Sequence, residues 1–363
     1  MDNLAHTLIA GALSHAGLNR KTRFATLTVI AGANLPDIDI VAWADSTATY
    51  LKYHRGITHS LLGVTVIGVL TGLVIYYGGR RRGPSRLGRL ANLGWLVACG
   101  LIGTFSHLLL DFTNAYGLRP FLPFHGGWYA WDIMFIIDPV LWFLLALGMG
   151  LPALLRLISE EVGAGKPAYS KGAIFSLCTT VALWGLRDVA HRRVVTLLDS
   201  HTYGREAPRR LGAFPAPANP LAWVGVVETD SAFHVLGLSV LDDDVHNDDV
   251  QVFRKPEPTR ALEAAAQTRT GKIFLDFARF PWANAREDDG FEVLLRDLRF
   301  FSMNSDRLGF VVDVELDAEL RVRSEAFHFS LPPRRESAQR PDGDEARDVS
   351  PEAEGAAPTM IRR

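Results

Sequence analysis

Two stretches of this chain are long enough, and free enough of charge, to cross a bilayer. Residues 60–79, SLLGVTVIGVLTGLVIYYGG, and residues 90–110, LANLGWLVACGLIGTFSHLLL, contain no Asp, Glu, Lys or Arg. A helix needs about 20 mostly apolar residues to traverse the hydrocarbon core. Residues 133–155 form a third candidate, interrupted by Asp138-Pro139, and residues 172–186 a shorter one. Residues 3–18 and 24–43 read as two further apolar helices. The expectation is about four to six membrane helices.

Arginines orient these helices. Five of them lie within residues 80–89, between the two strongest spans. Arg20, Lys21 and Arg23 follow the first apolar helix, and Arg156, Lys166 and Lys171 lie in a later loop. If each helix crosses once, the three basic loops share a side. Short basic loops mark the cytoplasmic side, so the segments around 37–59 and 111–132 are expected outside. A secretory leader is not expected, because Asp2 and His6 stand where a basic n-region would be.

The apolar pattern stops near residue 190. Beyond it come a helix, a Pro-rich connection and short alternating runs: LAWVGVVET, AFHVLGLSV, KIFLDFARF, FEVLLRDLRF, GFVVDVEL and EAFHFSL. These runs read as antiparallel strands. The expected architecture is mainly α. A polytopic helical membrane domain covers residues 1–190, and a helix with a Pro-rich linker covers 191–219. A small β-rich (α+β) domain covers 220–332 and a disordered tail 333–363. The net charge of −2 provides no basic field for nucleic acid. Cys99 and Cys178 sit in apolar runs and read as small buried hydrophobes rather than a disulfide pair.

Ionisable residues in apolar helices are costly and need a reason. Here they gather at segment ends. His6 lies in the first helix; Asn34-Leu-Pro-Asp37-Ile-Asp39 ends the second. His54-Arg55-Gly56-Ile57-Thr58-His59-Ser60 precedes the strongest span, and His107-Leu-Leu-Leu-Asp111 ends the next. Asp132 and Asp138 open the segment after that. On the orientation above all of them reach the outer face. His107 and Asp111, four residues apart, share a helix face. Asp37 and Asp39 flank one residue after Pro36, where a helix end can aim both carboxylates inward. Imidazole with carboxylate suits zinc or a similar divalent ion, and seven donors exceed what one tetrahedral ion uses. Two or three ions are therefore expected.

Blander roles compete. Asp37 and Asp39 could stop and cap a helix, Asp132 could cap the next, and Asp138 could serve the kink at Pro139. Arg55 could pair with one of the aspartates or clamp a phosphate. The other histidines read as packing residues. The acidic loop at 242–249 lacks calcium-loop spacing.

GANLPDIDI, HRGITHS and HLLLD, in that order behind a helix bearing His6, resemble the bacterial and archaeal membrane-bound metal-dependent hydrolases, including the LexA-regulated inner-membrane hydrolases. The resemblance covers roughly residues 1–160. LAWVGVVET, FARFPWA and VLLRDLRF are similar to an extra C-terminal domain in one branch. The family is distantly similar to zinc-dependent phospholipase C and P1-type nucleases, which implies phosphoester hydrolysis by fold-level analogy. The resemblance implies His6, Asp37, Asp39, His54, His59, His107 and Asp111 as metal ligands, with Asp132 and Asp138 as possible additions. Asp37 or Asp39 would bridge metals or act as base, and Arg55 would neutralise phosphate. A lipid or lipid-linked phosphoester is the expected substrate, at a multi-pass inner or plasma membrane. Metal site and β domain are both expected on the extracytoplasmic side. Two rival readings are an ion or metal transporter using the same residues, and a non-catalytic anchor for the β domain.

Overall fold

A computed structural model describes residues 1–83, 89–162, 169–245, 250–301 and 308–330. The tail expected to be disordered, and part of the acidic loop, lie outside the described residues. Residues 1–331 form one compact unit.

The membrane part contains α1 (Asn3–Ala16), α2 (Ala25–Asn34), α3 (Thr47–Tyr53), α4 (Leu61–Gly79), α5 (Leu93–Phe112), α6 (Pro139–Val162) and α7 (Tyr169–Ser200). Past Asn34 the chain continues as a 3-10 helix, Leu35–Ala44, so Ala25–Ala44 is one long apolar rod. Among the described residues, four helices are long and apolar enough to cross a membrane: Ala25–Ala44, α4, α5 and α7. Pro139–Pro152 is a shorter apolar helix.

Apolar helices in lipid gain little from the hydrophobic effect, so they associate through close packing at small residues. Gly68 and Gly72 of α4 face Gly100 of α5, and Gly103 of α5 meets Gly32 of α2. A Cβ added at Gly100 would lie 2.1 Å from the Gly68 carbonyl oxygen, and one at Gly103 would lie 2.4 Å from that of Val29. These contacts draw the site-bearing ends of α2, α4 and α5 together.

The basic turns meet at the far end. Arg23 donates to the carbonyls of Arg82 and Gly83, and Arg89 to that of Asn19. The length of α4, about 28 Å at 1.5 Å per residue, separates this basic end from Ser60 and the His/Asp face.

α7 has 32 residues, more than a bilayer requires. It therefore continues the weak 172–186 span through the helix expected after residue 190. Its first part packs Leu183 with α1 and α6, while Val194 and Leu198 sit under a β-sheet. Cys99 is buried, but Cys178 is exposed on α7, contrary to the expectation of a buried residue.

The C-terminal region holds two four-stranded antiparallel sheets. The first orders β1 (Arg210–Pro215), β2 (Ala222–Glu228), β3 (Ala232–Ser239) and β4 (Val250–Arg254) side by side. One face packs on α7 through Trp223, Val227 and Leu236; the other packs Phe214, Val226 and Val235 against Phe280 and Leu298. Burial of both faces explains the nearly unbroken apolar run of β2. The second region is an α/β plait. Helices α8 (Arg260–Gln267) and α9 (Arg269–Phe277) precede β5 (Pro281–Glu287), β6 (Phe291–Asp297), β7 (Leu308–Leu316) and β8 (Val322–Ser330). KIFLDFARF, expected as a strand, is mostly α9. Thr268 caps the helix at the Gly271 N–H, and Phe274 and Phe277 are buried three residues apart, a helical rather than alternating pattern. β1, at Arg210–Pro215, occupies sequence expected to be linker.

Both sheets lie on the face of the bundle that carries the His/Asp residues. Ala48 and Leu51 of α3, with Tyr116 from the turn after α5, belong to the same hydrophobic core as Phe274, Phe277, Val312 and Phe327 of the plait. Thr47 donates to the Phe327 carbonyl. The buried Arg299–Asp297 pair (2.7 Å) lets Arg299 donate to the carbonyls of Ala115 and Phe277.

Gly100→Ala should destabilise the bundle by about 1–3 kcal/mol, the usual cost of overpacking. Gly78→Ala, where an added Cβ meets nothing within 4 Å, should be near neutral. Thermal unfolding in detergent checks the pair; equal midpoints would contradict the α4–α5 contact.

Candidate metal centre

Each donor is placed by a local device. Asp37 and Asp39 lie in the first turns of the 3-10 helix that starts at Leu35-Pro36, where Pro fits the helix start. His54 caps α3, whose other face is held in the plait core. His59 ends a single 3-10 turn, Ile57–His59. Between the two histidines Arg55 adopts φ 55°, a left-handed conformation costly for a side chain other than glycine. That turn aims both imidazoles at the same carboxylates. His107 and Asp111 occupy successive turns at the C-terminal end of α5, as their spacing predicts. His6 projects from α1 and stacks on His107 at 3.9 Å between ring centroids.

Four donor atoms converge. His59 Nε2 lies 3.0 Å from His107 Nε2, 3.4 Å from Asp37 Oδ1 and 3.3 Å from Asp111 Oδ2. His107 Nε2 lies 3.6 Å from Asp37 Oδ1 and 3.4 Å from Asp111 Oδ2. Four ligands held at about 2.0 Å from one tetrahedral ion stand about 3.3 Å apart. Five edges of the tetrahedron thus match that spacing. Asp111 Oδ2 is buried and has no hydrogen-bond partner among the described residues. His107 Nδ1 lies 2.7 Å from the Ala33 carbonyl and donates to it, which leaves the Nε2 lone pair facing the group.

A second group shares Asp37 with the first: Asp37, Asp39 and His54 each bring a donor within 4.8 Å of the others. His54 Nδ1 is 3.0 Å from Asp39 Oδ1, while the Arg55 N–H and the Thr58 hydroxyl each donate to Asp39 Oδ2 at 3.0 Å. The first group is sealed, with His59, His107 and Asp111 at most 1% exposed. The second lies against a cavity of about 360 Å³ lined in part by Asp37, His54 and Arg55. A buried His/Asp cluster that could hold a metal ion is therefore present.

The electrostatics favour positive charge within the first group. Burial lowers the pKa of His59, but close contacts with the carboxylates of Asp111, Asp37 and Asp39 outweigh it and raise the value to about 10. Three carboxylates thus hold a positive charge at the point where a metal ion would sit. Burial lowers the pKa of His54 despite its bond to Asp39, so this imidazole favours its neutral, ligating form. Asp111 stands at the C-terminal end of α5, where the helix dipole disfavours negative charge. It is offset by Arg55 NH2 at 3.0 Å and by the Met1 amino group, which hydrogen-bonds to Oδ1.

Not every expected residue joins these groups. His6 Nε2 lies 3.4 Å from Asp111 Oδ1 but falls outside both convergent sets, and neither of its ring nitrogens makes a hydrogen bond among the described residues. Asp132 pairs with Arg279 of the plait region at 2.8 Å. Asp138 caps α6 at the Val140 and Leu141 N–H groups and pairs with the buried Arg187 at 3.0 Å. Arg55 is locked rather than free: NH1 donates to Asn114 Oδ1 at 2.8 Å, NH2 holds Asp111, and the guanidinium lies over Tyr116. Asn114, Thr58, Tyr50 and Tyr116 carried no signal of their own, because each acts through a contact set by the tertiary fold.

Comparison with known proteins agrees with this division of the chain. Residues 260–335 match the YfhP C-terminal alpha/beta plait domain. The chain is 26% identical over 299 residues to the uncharacterized protein YfhP of Bacillus subtilis (strain 168), covering 82% of this chain and 83% of that one. No solved structure matches, so the expected likeness to zinc-dependent phospholipases has no structural counterpart. Residues 1–194 of the 363 match the family described as YdjM inner membrane protein. With all six clustered His and Asp residues, and His6 beside them, inside that match, the chain belongs to the YdjM inner membrane protein family.

Proposed function

We propose that this protein is a membrane-bound metal-dependent hydrolase acting on a phosphoester at the bilayer surface. The observation that carries the reading is Asp37, shared between a four-donor group whose other three members are sealed and a three-donor group beside a cavity. A closed set of four suits an ion held for structure, whereas three protein donors leave a position for water. Zinc fits the mixed imidazole and carboxylate donors.

A divalent ion at the open group supplies Lewis acidity, activating water near neutral pH and polarising a phosphoryl oxygen. The chain supplies the rest. Asp37, with 18% side-chain exposure against 5% for Asp39, is the better placed to take a proton from the attacking water. Asp39, already accepting from the Arg55 N–H and the Thr58 hydroxyl, positions His54. Arg55 keeps its NH groups on Asp111 and Asn114, but its buried Nε–H has no partner among the described residues. A phosphoryl group in the cavity would lie beside this guanidinium while the ion pair stays intact. The cluster's place at helix ends favours this reading over a transporter, whose sites lie near the bilayer midplane.

Metal analysis of the purified protein should find about two ions per chain. His107→Ala should remove one, His54→Ala the other, and Asp37→Ala both. Chelation should lower the unfolding temperature; ligand at a hundredfold excess over Kd adds about 2.7 kcal/mol. A metal content untouched by Asp37→Ala would refute the shared-carboxylate arrangement.

Zinc-reloaded protein should hydrolyse bis-p-nitrophenyl phosphate or a phospholipid. Asp37→Asn, which changes both the shared ligand and the base, should cut kcat by about 100-fold or more. Equal turnover by wild type and Asp37→Asn, or none by any metal-loaded preparation, would end the hydrolase reading.

The basic end defined by Arg23, Arg82 and Arg89 supports a cytoplasmic location for that end. The cluster and both sheets then face outward. In a background lacking Cys99 and Cys178, a cysteine at Gly126 should react with an impermeant maleimide on intact cells, and one at Gly83 should not. The reverse pattern would invert the topology.

A further inference from the structure

The cavity beside the open group is built by both halves of the chain. Asp37, His54 and Arg55 form its polar floor, while Trp43 from the 35–44 segment meets Phe310 of β7 and Phe329 of β8 in its wall. The rings make a continuous row. Phe310 stands edge-on to Phe329 at 5.3 Å, Phe329 stacks on Trp43 at 5.3 Å, Trp43 lies 4.9 Å from Tyr50, and Tyr50 stacks on His54 at 4.5 Å. The row thus leads from the plait domain to an imidazole of the metal centre. At its rim Ile40 is 59% exposed and Trp43 47%. Both lie at the end of the Ala25–Ala44 span, where bilayer gives way to water. The lining offers one guanidinium, Arg55, and it is already paired with Asp111.

We propose that this aromatic row is the chain-binding part of the site, with Phe329 and Trp43 selecting a phosphoester that carries a long apolar chain. The proposal rests on the hydrolase reading for the placement of the phosphate, over Asp37, His54 and Arg55. The first part of the chain lies along the rings and the remainder passes Ile40 into the bilayer. The volume supports this: about 360 Å³ is near the lower end for a small-ligand pocket, enough for part of a lipid only. A soluble nucleotide could also stack on these rings. It would meet too little positive charge on the floor, and its polar sugar would face the apolar rim.

The test uses full-length protein in detergent with a hexadecyl phosphate bearing a diazirine near the head group. Irradiation should label peptides containing residues 35–44 and 322–330. Unlabelled hexadecyl phosphate should compete, and AMP should not. Phe329→Ala and Trp43→Ala alter residues 36% and 47% exposed, so neither removes a buried core side chain. Each should weaken labelling by about tenfold, the value of one apolar side chain in a pocket. Each should also lower the preference for a hexadecyl over an ethyl phosphodiester by a similar factor. Labelling without turnover would support the pocket while ending the hydrolase reading. Competition by AMP, absence of label from β8, or labelling unaffected by both substitutions would overturn the proposal.

Discussion

A carboxylate sealed inside an apolar bundle must be matched by positive charge, and Asp111 imposes that condition on everything around it. It is 1% exposed at the end of a helix whose dipole opposes its charge. Its neighbours are cations or potential ligands: Arg55, the Met1 amino group, His6, His59 and His107. Asp37 and Asp39 add two more negative charges to the same space. The glycine contacts between α2, α4 and α5 let four separate segments approach closely enough to share them. Bundle packing and site chemistry are consequently one problem, and the small residues of the helices serve both.

The C-terminal domain takes part in that solution. α3 has one face in the plait core through Ala48 and Leu51, and its last turn presents His54 to Asp39. Arg299 holds the carbonyls just after α5, next to Asn114 and Tyr116, which position Arg55. The plait thus braces the arm that carries His54 and the turn that positions Arg55. Rigid support of this kind is what keeps donor atoms at ligand spacing when no regular helix does so.

Much of the membrane part was legible because its signals are local. Charge-free runs mark spans, and the four-residue spacing of His107 and Asp111 places both on one face before any fold is known. The PDID and HRGITH segments were legible as donor sets for the same reason. The fate of Arg55, Asp132 and Asp138 was not, since each is decided by a partner distant in sequence: Asp111, Arg279 and Arg187. KIFLDFARF misled because its apolar spacing fits a short helix as well as a strand, and the cap at Thr268 decides between them. β1, β4 and β5 escaped notice because they are short or carry Pro, Gly and polar residues. The aromatic wall of the cavity was invisible for the simplest reason: Trp43 and Phe329 meet across 286 positions of sequence.

The shared core around α3 has a temporal meaning. A ribosome delivers residues 25–112, with most of the donors, well before β7 and β8 emerge. Until the plait from Ala261 to Phe327 arrives, Ala48 and Leu51 lack most of the core they enter, and α3 lacks the support that fixes its last turn. The membrane helices can insert and pack beforehand through their glycines, but the arm bearing His54 is set last. Synthesis of the plait is thus the step that fixes the arm bearing His54, and a product truncated before it would carry the His and Asp residues without that support.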